Sequence, residues 1–169
     1  MPMHDEEMQK NYALAEQLIA EQNFAAALVA GAIATLFAAV AYGIVVATWG
    51  FSYGFMAAGI GVVVGLSMGF LGRGIAKKFS VVAAAYTIIG CALGNLLLRI
   101  VNMSEASATS PMDVIQGSSL SALAQWSVAG LTLIHLVFWL VSVAAAVFLA
   151  KRPLSRSQRL AIAVLESRA

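Results

Sequence analysis

The chain has 169 residues, 61% of them hydrophobic and 11% charged, with a formal net charge of +2 and a mean hydropathy of +0.87. A soluble domain of this size presents more charge to water, so the composition points to an integral membrane protein. The small net charge argues against nucleic acid as a partner, and a single cysteine excludes an internal disulfide and leaves a thiolate metal site short of ligands.

Residues 1–23 open with acids, and 5–23 read as a helix whose first-turn carboxylates suit the positive end of its dipole. Met8, Tyr12, Ala15 and Ile19 share one face, as in an amphipathic helix lying on a membrane or a bundle. A cleaved signal peptide wants a basic start and an early small-residue cleavage site, so the chain reads as mature throughout. No charge occurs between Glu21 and Arg73, which is room for two spans of roughly 20 residues. These are expected over 24–48 and 55–72. An aromatic turn of Trp49, Phe51 and Tyr53 around Gly50 and Gly54 joins them at the far surface.

The basic turn Arg73-Gly74-Ile75-Ala76-Lys77-Lys78 precedes a third span over 79–101. Residues 102–123 are rich in serine and read as an outer loop. Within it, Ser110-Pro111-Met112-Asp113 has the order of an N-cap, a first-position proline and a first-turn acid, and Gly117 is the stop. A fourth span over 124–150, marked by Trp126, ends at Lys151-Arg152-Pro153. In the basic tail, 151–169, Ser155 and Gln158 form a capping box for a last helix carrying Leu160, Val164 and Leu165, suited to anchoring on anionic lipid. The apolar runs are continuous and rich in Ala, Leu and Gly, unlike the alternating strands of a barrel.

The expected fold is therefore all-α, an integral membrane four-helix bundle with a short N-terminal amphipathic helix. Four spans put both termini on the same side as the 73–78 turn. That side holds Lys10, Arg73, Lys77, Lys78, Lys151, Arg152, Arg156, Arg159 and Arg168, nine of the ten basic residues, against Arg99 opposite. By the positive-inside rule both termini are expected in the cytoplasm.

Two groups of residues stand out. Gly61, Gly65 and Gly69 recur every four residues, a doubled GxxxG that strips one helix face to backbone, and Gly90 and Gly94 offer the third span a similar small face for helix packing. Thr87, Cys91, Asn95 and Arg99 form a polar stripe on the third span. His135 falls near the middle of the expected fourth span, with Thr132, Trp139 and Ser142 on its face. Counting along antiparallel helices brings it level with Cys91 to Asn95, so Thr87, Cys91, Asn95 and His135 are a candidate intramembrane polar cluster. One reading is structural, with a neutral His135 fixing helix register; the other is a proton-responsive or small-ligand site, since a solvated imidazole titrates near neutrality. No further His, Asp or Glu lies within a span, so no metal and no cofactor are expected. Cys91, Asn95 and His135 are the right types for nucleophilic catalysis, but their spacing specifies no such geometry, and no catalytic residue is assigned. Arg99 is expected to snorkel to the headgroups or to pair with Glu105 or Asp113.

Gln22-Asn23-Phe24, Gly31, Gly54-Phe55-Met56-Ala57-Ala58-Gly59-Ile60-Gly61, Val64-Gly65, Gly72-Arg73-Gly74, Phe79 and Gly90-Cys91-Ala92-Leu93-Gly94-Asn95 follow one another in an order that resembles a family of small uncharacterised bacterial multi-span membrane proteins. The resemblance covers 22–95. The aromatic-rich segment that often follows the third span in that family has no counterpart here. It implies a multi-pass protein of the bacterial cytoplasmic (inner) membrane and supplies no catalytic or ligand residues. The expected function is non-enzymatic, a structural or accessory membrane protein packing through small-residue faces. The alternative is a small oligomeric transporter or channel using the Asn95 and His135 region. The partners expected are the lipid bilayer and either a second copy or another membrane protein.

Overall fold

In a computed structural model, residues 5–49 and 53–166 are described, and every regular element among them is a helix. They are α1 (Asp5–Ala20), α2 (Phe24–Trp49), α3 (Tyr53–Gly72), α4 (Lys77–Ser107), α5 (Pro111–Gln116), α6 (Leu120–Val128), α7 (Leu133–Leu149) and α8 (Arg156–Glu166). Gly50, Phe51 and Ser52 of the expected aromatic turn, and Arg168, lie outside the described residues.

Three helices, α2, α3 and α4, are long and apolar enough to cross a membrane; α6 and α7 qualify only together, as a pair bent by 88°. The expected unbroken fourth span is thus corrected. The chain leaves helix at Ala129, passes through Gly130 at φ 72°, and re-enters at Thr132, the N-cap of α7. The helix of the third span also outruns the bounds expected for it, since α4 continues to Ser107 through residues expected in the loop. Its end is made by Ala108 in the left-handed region at φ 52°, where the Thr109 N–H donates to the Ser104 carbonyl (3.1 Å) and Ser104 Oγ donates to the Thr109 carbonyl (2.6 Å). Asn102, Ser104 and Ser107 have the composition of a loop, but no Gly or Pro falls between Arg99 and Ala108 to stop the helix earlier.

The core lies between α2, α3, α4 and α7, with Ile60, Val64, Met68 and Phe79 almost wholly buried. Its helices approach closely because glycines face them. A Cβ on Gly31 would meet the Tyr86 ring at 2.8 Å and one on Gly43 would meet Leu97 Cβ at 2.9 Å, which sets α2 beside α4 in the same direction. Large apolar side chains point outward from the same helices, among them Ile33, Phe37, Phe70, Val81, Leu140 and Phe148. In water this arrangement would be an aggregation hazard; in lipid it is a solvent-facing surface.

The two terminal helices, α1 and α8, pack on each other, a pairing that the sequence did not suggest. The buried positions are Ala15 and Leu18 in α1 and Ala161 in α8, while Ile19 and Leu160 are exposed. The expected caps are present. Ser155 and Gln158 exchange backbone bonds at the start of α8, and Ser110 and Asp113 do so before Pro111 in α5.

Candidate functional site

At one end of the bundle an open cleft of about 420 Å³ is lined by Asn95, Leu98, Arg99, Asn102, Met103, Ala106, Ala129, Gly130 and His135. It exists because the helix breaks between α6 and α7. A helix end leaves carbonyls without partners, and here side chains of α4 supply them. Asn95 Nδ2 donates to the Ser127 carbonyl (2.8 Å) and more weakly to that of Ala129 (3.4 Å), and Arg99 Nε donates to Ala129 (3.2 Å). Gly130 allows the close approach, since a Cβ there would run into the Arg99 guanidinium. The other side of the break is capped by His135, whose Nδ1 accepts from the Thr132 N–H (3.1 Å) and lies 2.7 Å from the Thr132 hydroxyl.

His135 therefore stands at the third position of α7, beside the break and at the cleft. Of the four polar residues expected to cluster, the structure brings Asn95 and His135 to one cleft and leaves Thr87 and Cys91 in the closed core. Thr87 Oγ1 donates to the Ala83 carbonyl of its own helix (2.8 Å). Cys91 Sγ is 3.9 Å from Ser142 Oγ. Arg99 pairs with neither Glu105 nor Asp113; both ion pairs among the described residues involve Glu21. The Asp113 carboxylate is held by the Ser110 hydroxyl (2.8 Å) in its capping box.

Ser142 is the polar centre of the core. Its hydroxyl donates to the Ala57 carbonyl (2.6 Å) and accepts from the Gly61 N–H (3.0 Å), so it bridges the two ends of one turn of α3. Gly61, Gly65 and Gly69 all face α7. A Cβ on Gly61 would run into the Ser142 carbonyl, one on Gly65 would meet the Ala146 backbone at 2.9 Å, and one on Gly69 would run into the Leu149 carbonyl. Ser142, Ala146 and Ala150, themselves four residues apart and buried, complete this surface. Gly90 faces Ile60 and Thr35, and Gly94 faces the Tyr42 ring. All five glycines thus contact neighbouring helices of the same chain.

The opposite end carries a polar clasp. Glu21 Oε2 accepts from Arg152 (2.7 Å) and lies 3.7 Å from Arg73. Gln22 Oε1 accepts from the N–H groups of Ile75 (3.2 Å) and Ala76 (3.4 Å), the Asn23 N–H donates to Gly72, and the Arg152 N–H donates to Gly74. Asn23 caps α2 through the Ala26 N–H. Phe24 and Phe79 meet edge to face at 5.3 Å, with Lys78 Nζ 4.8 Å above the Phe24 ring. The hydrogen bond from Arg152, joined by the charges of Arg152 and Arg73, holds the Glu21 carboxyl below its ordinary 4.5 against the opposing effect of burial. Gln22, Asn23 and Phe24 thus meet Gly72, Arg73, Gly74 and Phe79, about fifty residues away in sequence. The clasp was missed from sequence because its partners belong to three separate turns. The clue was that polar Glu21-Gln22-Asn23 sits directly against an apolar run, where a membrane end needs its polar groups satisfied.

No family model, no curated protein and no solved structure matches this chain.

Proposed function

We propose that the chain is a four-span protein of the bacterial cytoplasmic membrane, with α2, α3, α4 and α7 as its spans and the clasped end in the cytoplasm. The basic residues support this orientation: Lys10, Arg73, Lys77, Lys78, Lys151, Arg152, Arg156 and Arg159 belong to the elements and turns of that end, and Arg99 lies at the other. Its function is that of a non-enzymatic accessory protein, which holds a partner in the membrane through the paired helices α1 and α8. The observation that carries this reading is the pairing itself. Helices from the two ends of the chain pack together, and Glu21 and Arg152 tie their bases to the bundle. The small-residue faces are engaged inside the chain, which moves the expected contact surface from the spans to this platform. The test is a photo-cross-linker at exposed Leu160, compared with one at lipid-facing Phe148, in native membranes. A discrete adduct of fixed mass from Leu160 alone is expected; adducts from neither position, or only from Phe148, would overturn it.

The transporter reading keeps one observation in its favour, the broken helix pair beside a cleft that reaches Asn95 and His135. It would require that cleft to communicate with the clasped end, and solute uptake into vesicles that depends on Asn95 is its test.

A further inference from the structure

Among the described residues, Arg99 is a cation without an anion. Its Nε–H bond to Ala129 occupies one of the five N–H donors of a guanidinium, and it makes no other hydrogen bond or ion pair to a described residue. The two acids nearest in sequence on that side, Glu105 and Asp113, leave it alone. The group is half-buried, at the wall of an open cleft, and a charge so placed calls for a partner of opposite sign. At the end of α6 the Ser127 and Ala129 carbonyls are taken up by Asn95 and Arg99, the first turn of α7 points its positive end toward the same break, and Asn102 adds an amide. The remaining wall, Leu98, Met103 and Ala106, is largely apolar. At about 420 Å³ the cleft exceeds a bare oxyanion and suits one carrying an organic group.

We infer that this cleft binds a phosphate group, with Arg99 supplying the charge and the α6–α7 break the surrounding donors. A planar guanidinium with its Nη donors uncommitted is the side chain best matched to phosphate oxygens. The phosphate has two sources, the headgroup of an anionic phospholipid or a soluble phosphate.

The protein purified in maltoside micelles, which contain no phosphate, distinguishes them. One arm adds phosphatidylglycerol and counts retained lipid by native mass spectrometry; the other titrates inorganic phosphate by calorimetry. Each is repeated with Arg99→Gln, and with Ala106→Glu, which places a carboxylate in the cleft without touching the bonds of Arg99. Circular dichroism confirms that each variant is folded, and Ala106→Glu decides the outcome if Arg99→Gln is not. Lipid retained by the parent and weakened about ten-fold or more in the variants assigns the site to a headgroup. The same loss in the phosphate arm alone assigns it to a soluble ligand. Binding in neither arm overturns the inference, and so does lipid binding that survives in the folded variants, which would belong to the basic residues of the opposite end.

Discussion

Arg99 and His135 show how one break in a helix changes what a polar residue does. In an unbroken span each would need a neighbour at membrane depth; at the break, the backbone ends of α6 and α7 become their partners. His135 acts as the acceptor of a capping box, so His135→Gln, which keeps an acceptor at the third position of α7, should leave thermal stability in detergent nearly unchanged. His135→Leu removes the acceptor and should cost about 1 kcal/mol. Equal melting of the two variants would show that the cap contributes nothing. A second residue is strained by its backbone alone. Ala108 closes α4 at φ 52°, a conformation that a Cβ disfavours by roughly 1–2 kcal/mol. Part of that is offset by the greater freedom of glycine in the unfolded chain, so Ala108→Gly should stabilise the protein by about 0.5–1 kcal/mol. A variant that melts at or below the parent would contradict this conformation.

Among the elements, the contact of α3 with α7 depends most narrowly on sequence. The spacing of Gly61, Gly65 and Gly69 showed in the sequence that α3 had a face for close approach, but not which helix would take it. Its complement, Ser142, Ala146 and Ala150, is too ordinary a pattern to single out in an apolar run. Hydropathy likewise could not show the break at 129–132, because Ala129, Gly130 and Leu131 are as apolar as a continuous span. The signal was Gly130 followed by Thr132 and His135, a helix stop and then a cap. Gly65→Leu should destabilise by at least 1–3 kcal/mol, the range typical of overpacking. Gly43 is no control for it, since Leu97 lies against that position, whereas a Cβ on Gly59 meets nothing within 4 Å. Gly59→Leu should therefore melt with the parent. If the two leucine variants are equally stable, the α3–α7 contact is not close-packed.

For the whole molecule, composition and charge placement carried the membrane assignment and the expectation of a basic end, while the joining of that end rests on tertiary contacts that no local pattern encodes. Glu21 meets Arg152 across 131 residues of chain. If α7 is a fourth span, Ser107 and Ser157, both exposed, lie on opposite sides of the membrane. Single cysteines there, in a background where buried Cys91 is replaced, should react with an impermeant reagent from opposite faces; labelling from one face only would exclude four spans. The clasp adds a dependence on pH. The Glu21 carboxyl is held below 4.5 in the folded chain, so it releases its proton more readily there than when unfolded. Its contribution is fully present above 4.5 and is lost as pH falls through the lowered folded value. Because the side chains of Glu21 and Arg152 are 30% and 32% exposed, solvent and salt weaken the pair. Glu21→Gln should melt below the parent at pH 7 in low salt, and the gap should narrow as the pH is taken below 4.5. A gap that stays constant from pH 7 to pH 3 would mean that Glu21 supports the junction through packing rather than charge, and no gap at pH 7 would mean that the junction holds without it.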